Sequence, residues 1–261
     1  MTRSGASVHP TAVIHPEATL NSGVEVGPYA IVGPGVSIDN GTSLGPHTVV
    51  VRDTIIGPNC SISANTVLGA DPQDLKYEGE YSQLCIGSGT TIREFASLNR
   101  GTAASGVTKV GNECLIMAYA HVAHDCVLGD GVVVANAVNM GGHVNIEDHA
   151  TIGGLTAIHQ FVRIGRHSFC GGGSRLTQDI PPFMKVAGNP VKLYGLNSVG
   201  LSRSKLSKQV LTCLRGAYQD LFQSKMNIGQ ALEKLEKQND LASEVVELIE
   251  FIRSSTRGIV T

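Results

Sequence analysis

Nine histidines stand out in this 261-residue sequence, because an imidazole can accept a proton or coordinate a metal ion near neutral pH. His124, His143 and His159 follow one another at nearly equal intervals, close to the interval that separates His149 from His167. If the chain repeats about every 18 residues, the first three histidines lie on one corner of three consecutive turns, within roughly 10 Å. We therefore expect this corner to transfer a proton or bind a metal ion, although a solvated surface or an oligomer interface would also place histidines there.

The second histidine pair and the cysteines are expected to be structural. Four cysteines recur at positions of a six-residue apolar repeat, and the other two are isolated. No C-x-x-C motif and no zinc-site spacing occurs, so the sequence indicates neither disulfides nor a nucleophilic thiol. The four repeated cysteines are Cys60, Cys114, Cys126 and Cys170, and the isolated ones are Cys85 and Cys213.

A six-residue repeat runs through most of the chain. Every sixth residue from Val8 to Leu176 is Val, Ile or Leu except at five positions, and small or β-branched residues recur four residues later. Glycine, of which there are 31, often follows the aliphatic residue. The repeating unit is therefore aliphatic, Gly, x, x, small, x. The five exceptions are Asp74, Glu80, Ala104, Met140 and Cys170.

This period indicates a prism-shaped coil of short parallel strands. Six residues are too few for a helical repeat, and at ~3.3 Å per residue they suit one short strand and a corner. Three such units complete one turn of about 18 residues, and successive turns pair as parallel strands about 4.8 Å apart. The narrow interior explains why only 5% of the residues are aromatic and why tryptophan is absent.

Two polar segments interrupt the coil, and a different pattern follows it. Residues 69–85 and 100–109 are polar while the six-residue phase continues beyond them, so we expect both to be loops that carry function. From about Ser202 the apolar spacing becomes helical. We predict a β-helix domain over residues 1–190 and a small C-terminal helical domain over residues 191–261.

Composition argues against two classes of partner. Twenty Lys and Arg against 22 Asp and Glu give a net charge of −2, so no global field attracts nucleic acid or anionic lipid. The N-terminus has no apolar signal segment, and no uncharged apolar run approaches the ~18 residues of a membrane span. We therefore expect no nucleic-acid binding and no membrane insertion, and a cytoplasmic location if the source is bacterial.

Several motifs resemble the UDP-N-acetylglucosamine O-acyltransferase family. They are PQDLKY, RGT followed by TKVG, AHVAHDC, MGGHV, AIHQF, GGGS and SSTRG, and their order and spacing match the family over essentially the full length. The resemblance implies a left-handed parallel β-helix, a homotrimer with active sites between subunits, and acyl carrier protein as the acyl donor. It also implies transfer of a 3-hydroxyacyl group to the 3-hydroxyl of UDP-N-acetylglucosamine, which is the first step of lipid A biosynthesis.

The family's reaction needs a base and an oxyanion donor, but no metal and no cofactor. The resemblance makes His124 the general base for the sugar hydroxyl, with Asp125 orienting its imidazole and favouring imidazolium in the transition state. It makes the backbone N–H of Gly142 the oxyanion donor. From the residues alone, Asp125 is nearly as well explained as a solvated charge, and Gly142 equally well as a corner glycine.

The same resemblance assigns residues to the nucleotide sugar and the acyl chain. Lys76 and Arg203 supply positive charge for the diphosphate, Gly172 leaves space for a long acyl chain, and His121 lies near the donor or the base. Cations that would face an acidic carrier, or serve only as solvated helix charges, are Arg203, Lys205 and Lys208. Expected contacts to the sugar are Gln73, Asp74, His143, His159, Gln160 and Asn197.

Three positions differ from the family pattern and leave the substrate details open. Val199 stands where a Glu often contacts the nucleoside, Ser204 where a second Arg is frequent, and Pro190 near the end of the acyl groove. The sequence therefore does not give the acyl length. Another β-helix acyltransferase that acts on a nucleotide sugar, including one with a 3-amino acceptor, is the alternative.

Two other functions compete for a β-helix with clustered histidines. Trimeric β-helices of the γ-carbonic-anhydrase kind place three histidines around zinc at a subunit interface, and metal analysis would identify that function. A non-catalytic trimeric scaffold would need neither the histidines nor the polar insertions. The N-acyltransferase of the same pathway usually has an extra N-terminal domain, whereas the repeat here begins at Val8 and favours the O-acyltransferase.

Overall fold

The computed structural model describes residues 5–204 and 206–261, and these residues form 28 β-strands, four α-helices and one π-helix. Residues 1–4 of the predicted β-helix domain and the candidate carrier-binding residue Lys205 lie outside the described residues. Most strands contain only two residues, because each face of a narrow coil turns after one short extended segment. The predicted repeat therefore describes how the chain is built.

Three sheets form the three faces of the coil, and successive strands pass from one sheet to the next. The first sheet contains β1 (Ser7–Val8), β4 (Glu25–Val26), β7 (Ser43–Leu44), β10 (Ser61–Ile62), β13 (Thr91–Ile92), β16 (Leu115–Ile116), β19 (Val133–Val134), β22 (Thr151–Ile152), β25 (Phe169–Cys170), β27 (Met184–Ala187) and β28 (Lys192–Leu196). The second contains β2 (Val13–Ile14), β5 (Ile31–Val32), β8 (Val49–Val50), β11 (Val67–Ala70), β14 (Ser97–Asn99), β17 (His121–Val122), β20 (Asn139–Met140), β23 (Ala157–Ile158) and β26 (Arg175–Leu176). The third contains β3 (Thr19–Leu20), β6 (Ser37–Ile38), β9 (Thr54–Ile56), β12 (Gln83–Ile86), β15 (Val107–Val110), β18 (Val127–Leu128), β21 (Asn145–Ile146) and β24 (Arg163–Ile164).

Most positions of both repeat sets are buried inside the coil, as predicted, and those of its first turn are partly buried. Among the aliphatic positions, Ile38, Leu98 and Ile164 have no exposed surface. The positions four residues later carry small side chains such as Ala30 and Val132, which are also fully buried. Each turn therefore contributes apolar side chains from all three faces to one continuous core, and the four patterned cysteines belong to it.

Strands of adjacent turns pair in parallel register along almost the whole coil. For example, Val133 of β19 is opposite Thr151 of β22, at the equivalent position of the next turn. The exception is the antiparallel pair of β27 and β28, which ends the first sheet at Leu196. The sheet thus continues past residue 190, where the sequence analysis divides the two domains.

Both polar segments leave the coil at the same corner, between the second and third sheets. Residues 71–82 connect β11 to β12, and residues 100–106 connect β14 to β15. The loops are shorter than the predicted 69–85 and 100–109 because the ends of those segments are strand residues. The next connection at this corner, between β17 and β18, contains His124.

A small helical region follows the coil and has a core of its own. Leu214, Leu235 and Leu248 are buried there with Phe183, which belongs to the end of the coil. The C-terminal segment then returns, because Val260 is buried in the core of the coil. Within the described residues, no helix is long and apolar enough to cross a bilayer. The helices are α1 (Ser198–Arg203), α2 (Lys208–Tyr218), the π-helix Gln219–Gln223, α3 (Ile228–Glu236) and α4 (Ser243–Arg253).

Candidate active site

His124 and Asp125 form a hydrogen-bonded pair at the corner between the second and third sheets. The Nδ1 atom of His124 lies 2.8 Å from Oδ2 of Asp125. An ionised carboxylate can only accept, so Nδ1 carries the proton and the neutral ring has its lone pair on Nε2. No group in the described part of the chain hydrogen-bonds to this Nε2. The imidazole can therefore accept a proton at Nε2 from a bound molecule.

Three further donors fix the carboxylate of Asp125, which is only 5% exposed. Thr102 donates from its backbone N–H over 3.0 Å and from its hydroxyl over 2.7 Å, and the hydroxyl of Ser105 also donates to the carboxylate. Burial raises the pKa of Asp125, but the hydrogen bonds from Ser105, His124 and Thr102 together bring it below its ordinary value. Asp125 is therefore a carboxylate at neutral pH, and it stabilises positive charge on the adjacent imidazole.

Gly142 lies beside the His124 ring on the next turn of the coil. A Cβ atom at this position would be 2.6 Å from Nε2 of His124 and closer still to Cε1, so only glycine fits under the ring. The carbonyl of Gly142 accepts from Phe161, but no acceptor among the described residues takes its N–H. This N–H, adjacent to the proton-accepting edge of His124, can donate to an oxyanion.

His143 follows Asp125 by one turn and contacts both members of the pair. Its Nε2 is 3.7 Å from Oδ2 of Asp125, and its ring meets that of His124 edge-on with 5.2 Å between centroids. The other face of His143 stacks on Phe161, with 4.5 Å between ring centroids. His143, Asp125 and Phe161 share a left-handed backbone conformation at this corner, with φ near +60°.

His159 lies on the same corner as His124 and His143, as predicted, but it does not join the stack of rings there. Phe161, one full turn after His143, occupies the third position of the stack. His159 is two residues short of that full turn, and it is exposed. Its Nδ1 lies 3.1 Å from the carbonyl of Gln160 and 3.2 Å from a guanidinium nitrogen of Arg257. Gln160, also exposed, lies on the same corner.

His121 lies at the start of the same connection, within β17. Its Nδ1 is 2.8 Å from the hydroxyl of Ser97 on the preceding turn. Burial lowers the pKa of His121, and the neighbouring His124 lowers it further. His121 is therefore neutral at neutral pH and can act there as a hydrogen-bonding group.

The loop of residues 71–82 projects from the same corner and carries the predicted acceptor-binding residues. The Asp74 carboxylate accepts from the backbone N–H of Lys76 over 3.0 Å, which closes a tight turn. Gln73 and Lys76 are exposed at this turn, and Leu75 between them is fully exposed. The ammonium of Lys76 is therefore available to an anionic ligand.

The remaining predicted residues lie at the other two corners. Asn197 caps α1 by accepting from the N–H of Gly200 over 3.1 Å, and it donates to the carbonyl of His167 over 2.9 Å. Arg203 is exposed at the end of α1 and lines a cavity of about 580 Å³ with His167, between the third and first sheets. Gly172 is exposed at the corner between the first and second sheets. One chain alone therefore does not bring all the predicted site residues together.

The pairing of His149 with His167 is as predicted. Their rings stack with 4.9 Å between centroids, and His167 also lies 6.3 Å from the Phe183 ring at the base of the helical core. The pair belongs to the corner between the third and first sheets, away from His124. Its contacts are those of a packing element that joins the coil to the helices.

A metal site at the His124 corner is geometrically conceivable but chemically disfavoured. His124, Asp125 and His143 each offer a ligand atom within 4.8 Å of the others. Both oxygens of Asp125, however, already accept hydrogen bonds from Thr102, Ser105 and the His124 ring. A metal ion bound by this carboxylate would have to displace one of these hydrogen bonds, so the arrangement favours proton transfer.

Sequence reasoning missed four residues that build this site. Thr102 and Arg257 lie in the motifs RGT and SSTRG, so the sequence could have identified them as candidate site residues. Ser105 belongs to an irregular loop. Phe161 could have been found from the period of the coil, because it follows Asp125 and His143 at intervals of one turn. The period alone therefore identifies the corner but not every side chain that completes it.

Two family models match the chain. One is described as Udp N-acetylglucosamine O-acyltransferase, Domain 2, and matches residues 179–260. The other is described as bacterial transferase hexapeptide (six repeats) and matches residues 108–142. The second match lies in the coil and includes His124, Asp125 and Gly142.

Individual proteins are similar over nearly the full length. An acyl-(acyl-carrier-protein)–UDP-N-acetylglucosamine O-acyltransferase from Myxococcus xanthus is 48% identical over 255 residues, covering 97% of this chain and 99% of that protein. A crystal structure of a UDP-N-acetylglucosamine acyltransferase from Bacteroides fragilis superposes with a TM-score of 0.93 at 36% identity, covering 97% of this chain and 100% of that one. The corresponding protein from Campylobacter jejuni gives a TM-score of 0.92 at 36% identity, with 98% and 99% covered. The predicted fold, a left-handed parallel β-helix followed by a small helical domain, is thereby confirmed.

Proposed function

This chain belongs to the UDP-N-acetylglucosamine O-acyltransferase family and is an acyltransferase, and we propose that it acts on the 3-hydroxyl of UDP-N-acetylglucosamine. The group transferred is a 3-hydroxyacyl chain from acyl carrier protein, and the reaction is the first step of lipid A biosynthesis. The observation that carries this proposal is the His124–Asp125 pair beside Gly142, because it combines a base with an unpaired N–H donor.

In the proposed reaction, Nε2 of His124 removes the proton of the sugar hydroxyl as its oxygen attacks the thioester carbonyl carbon. The negative charge that develops on the carbonyl oxygen is stabilised by the N–H of Gly142. Asp125 stabilises the imidazolium through the 2.8 Å hydrogen bond to Nδ1. When the tetrahedral intermediate collapses, the carbon–sulfur bond breaks and the imidazolium returns its proton to the carrier's thiolate.

The acceptor is proposed to bind across the loop of residues 71–82. The exposed ammonium of Lys76 pairs with the diphosphate, and Gln73 and Asp74 contact the sugar. His143 is proposed to face the same space, since it contacts the His124–Asp125 pair and its side chain is partly exposed. His159 and Gln160 add exposed polar groups one turn further along this corner.

A homotrimer with sites between subunits is the proposed assembly. Asn197 and Arg203, proposed to contact the sugar and the diphosphate respectively, lie on a different corner from His124, and Gly172, proposed to face the acyl chain, lies on the third. Threefold packing of the prisms would bring the corners of neighbours together.

The acyl carrier protein is proposed to approach the helical region. Arg203 and Lys208 are exposed there and would attract an acidic carrier by long-range electrostatics. Since a nucleotide sugar and a carrier thioester are both intermediates of cytoplasmic metabolism, we also propose that the enzyme works in the cytoplasm.

The test is a transfer assay with a series of 3-hydroxyacyl carrier thioesters and two acceptors, UDP-N-acetylglucosamine and its 3-amino analogue. We expect an ester at the sugar 3-position, identified by mass spectrometry and NMR, and unchanged rates after chelation of divalent metals. An amide formed preferentially with the amino acceptor would replace the proposed substrate. Activity that is lost on chelation and restored by zinc would favour the metalloenzyme instead.

A further inference from the structure

Arg100 is buried beneath the loop that carries Lys76. It follows β14 directly and is 1% exposed, although arginine is rarely buried without complete pairing. Its guanidinium donates to the carbonyl of Gly69 over 2.5 Å and to the carboxylate of Asp71 over 2.5 Å. It also donates to the hydroxyl of Tyr77 over 2.9 Å. One side chain therefore binds the entrance of the loop and the residue next to Lys76.

The hydrogen bonding of Arg100 is incomplete, which argues against a role in stability alone. Its Nε has no partner among the described residues. Its counter-ion, Asp71, has a side chain that is 67% exposed, so the negative charge of the pair is hydrated while the positive charge is buried. A buried charge with an open donor is costly compared with an apolar residue of similar size. Such a residue is expected where a functional site needs it.

The backbone of Arg100 connects the loop to the catalytic pair. Its N–H donates to the carbonyl of Ala70 over 3.0 Å, at the point where the loop of residues 71–82 begins. Two residues later, Thr102 donates twice to the carboxylate of Asp125. A second link runs from Glu80, which accepts from the N–H of Ala103 over 3.0 Å. The two loops thus form one hydrogen-bonded unit between Lys76 and Asp125.

We propose that Arg100 is a positioning residue that fixes the Lys76 loop relative to the His124–Asp125 pair. The inference rests on the proposed function, because it concerns where the acceptor's diphosphate meets its base. Arg100 itself does not touch the acceptor. It acts through Tyr77 and Asp71, which set the direction of Lys76.

The experiment compares four variants of the full-length protein. Arg100→Met removes the donors and keeps the length of the side chain, whereas Arg100→Lys keeps the charge. Tyr77→Phe removes one hydroxyl from the same contact without changing the packing volume. Arg93→Met is the matched control, because the Arg93 side chain is half exposed on the coil and, among the described residues, pairs with its neighbour Glu94.

We expect Arg100→Met to raise the KM for UDP-N-acetylglucosamine by about 10- to 100-fold, the effect of losing hydrogen bonds to a charged group. The KM for the carrier thioester should be unchanged. Arg100→Lys should recover part of the loss, and Tyr77→Phe should give a smaller increase of the same kind. Arg93→Met should leave both KM values unchanged. Equal changes in both KM values, or none in Arg100→Met and Tyr77→Phe, would overturn the proposal.

Trypsin provides a readout that does not depend on the reaction. Cleavage after Lys76, followed by mass spectrometry of the fragments under native conditions, should be faster in Arg100→Met and Tyr77→Phe than in the wild type. Faster cleavage at every site would indicate general destabilisation and, like an unchanged rate at Lys76, would count against the proposal. A wild-type protein that shows no acyl transfer overturns the proposed function, whereas the cleavage rates still decide whether Arg100 fixes the loop.

Discussion

The imidazole of His124 lies over the backbone of Gly142, in the space that any Cβ at this position would occupy. The group proposed to stabilise the oxyanion therefore also supports the proposed base. Gly142→Ala should move the ring or the N–H, and we expect kcat to fall by about 10²-fold or more. Gly216→Ala in α2 is the control, since its Cβ meets open space and should leave kcat unchanged. Full activity of Gly142→Ala would contradict the arrangement.

Loss of the proposed base should affect turnover more than binding. Positioned base catalysis contributes about 10²- to 10⁴-fold, so the kcat of His124→Ala should fall by about 10²-fold or more. Calorimetric titration should still detect binding of UDP-N-acetylglucosamine. His15→Ala, at an exposed histidine near the start of the coil, is the control. If His124→Ala keeps a tenth of wild-type kcat while His143→Ala is inactive, the base is His143.

Lys76 is expected to contribute to acceptor affinity rather than to the chemical step. Its charge meets the diphosphate in the ground state and in the transition state alike, so Lys76→Ala should raise the KM for the acceptor and change kcat little. Lys192→Ala, at an exposed residue of β28, is the comparison. A large drop in kcat at saturating acceptor would instead place Lys76 in the chemistry.

Gly172 is predicted to leave space for a long acyl chain, which a bulky side chain at this position would block. It is exposed at its corner, and a Cβ there would already lie 3.0 Å from the carbonyl oxygen of Gly154. The side chain of Gly172→Met would therefore project from the surface into the proposed groove, and the preferred acyl chain should shorten by several carbons. Rates with a series of hydroxyacyl carriers measure this preference. An unchanged profile would redirect attention to Pro190.

Stability should fall in mild acid because of His167. Burial, together with the charges of His149 and Arg166, lowers the pKa of His167 to about 4, although Asp148 opposes the shift. An ordinary histidine has a pKa of about 6.5, so between pH about 6.5 and about 4 the unfolded chain binds more protons than the folded one. The Tm should drop as pH falls through this window. His167→Phe, which keeps the ring stack, should show a smaller fall in Tm over this pH range. An equal fall would show that groups other than His167 cause the loss of stability.

The sequence is sufficient to predict the coil, because its core admits only one aliphatic and one small side chain per face. Few folds other than such a coil are compatible with a six-residue period that continues across two polar segments. The same reasoning identifies the corner that contains His124, and it correctly pairs His149 with His167, which lie one full turn apart.

The period does not predict the contacts of side chains that lie near the same corner but are not separated by one full turn. His159 differs from a full turn by two residues, and Phe161, one full turn after His143, is the residue whose ring stacks on it. Irregular loops carry no period at all, so the donors to Asp125 from Thr102 and Ser105 became visible only in three dimensions. Arg100 gives no sequence signal of burial because its partners come from a separate loop.

Both loops leave the coil at one corner; β12 and β15 after them pair in continuous register, and β11 and β14 before them shift register between Leu68 and Ala70. Mutations that lengthen or shorten these loops are therefore confined to a part of the molecule that contributes little to the stacked core. The loop residues proposed to bind the acceptor and the residues that make the chain fold can consequently diverge at different rates. A change in one loop could therefore change the acceptor that binds, without changes in the coil that supports the loop.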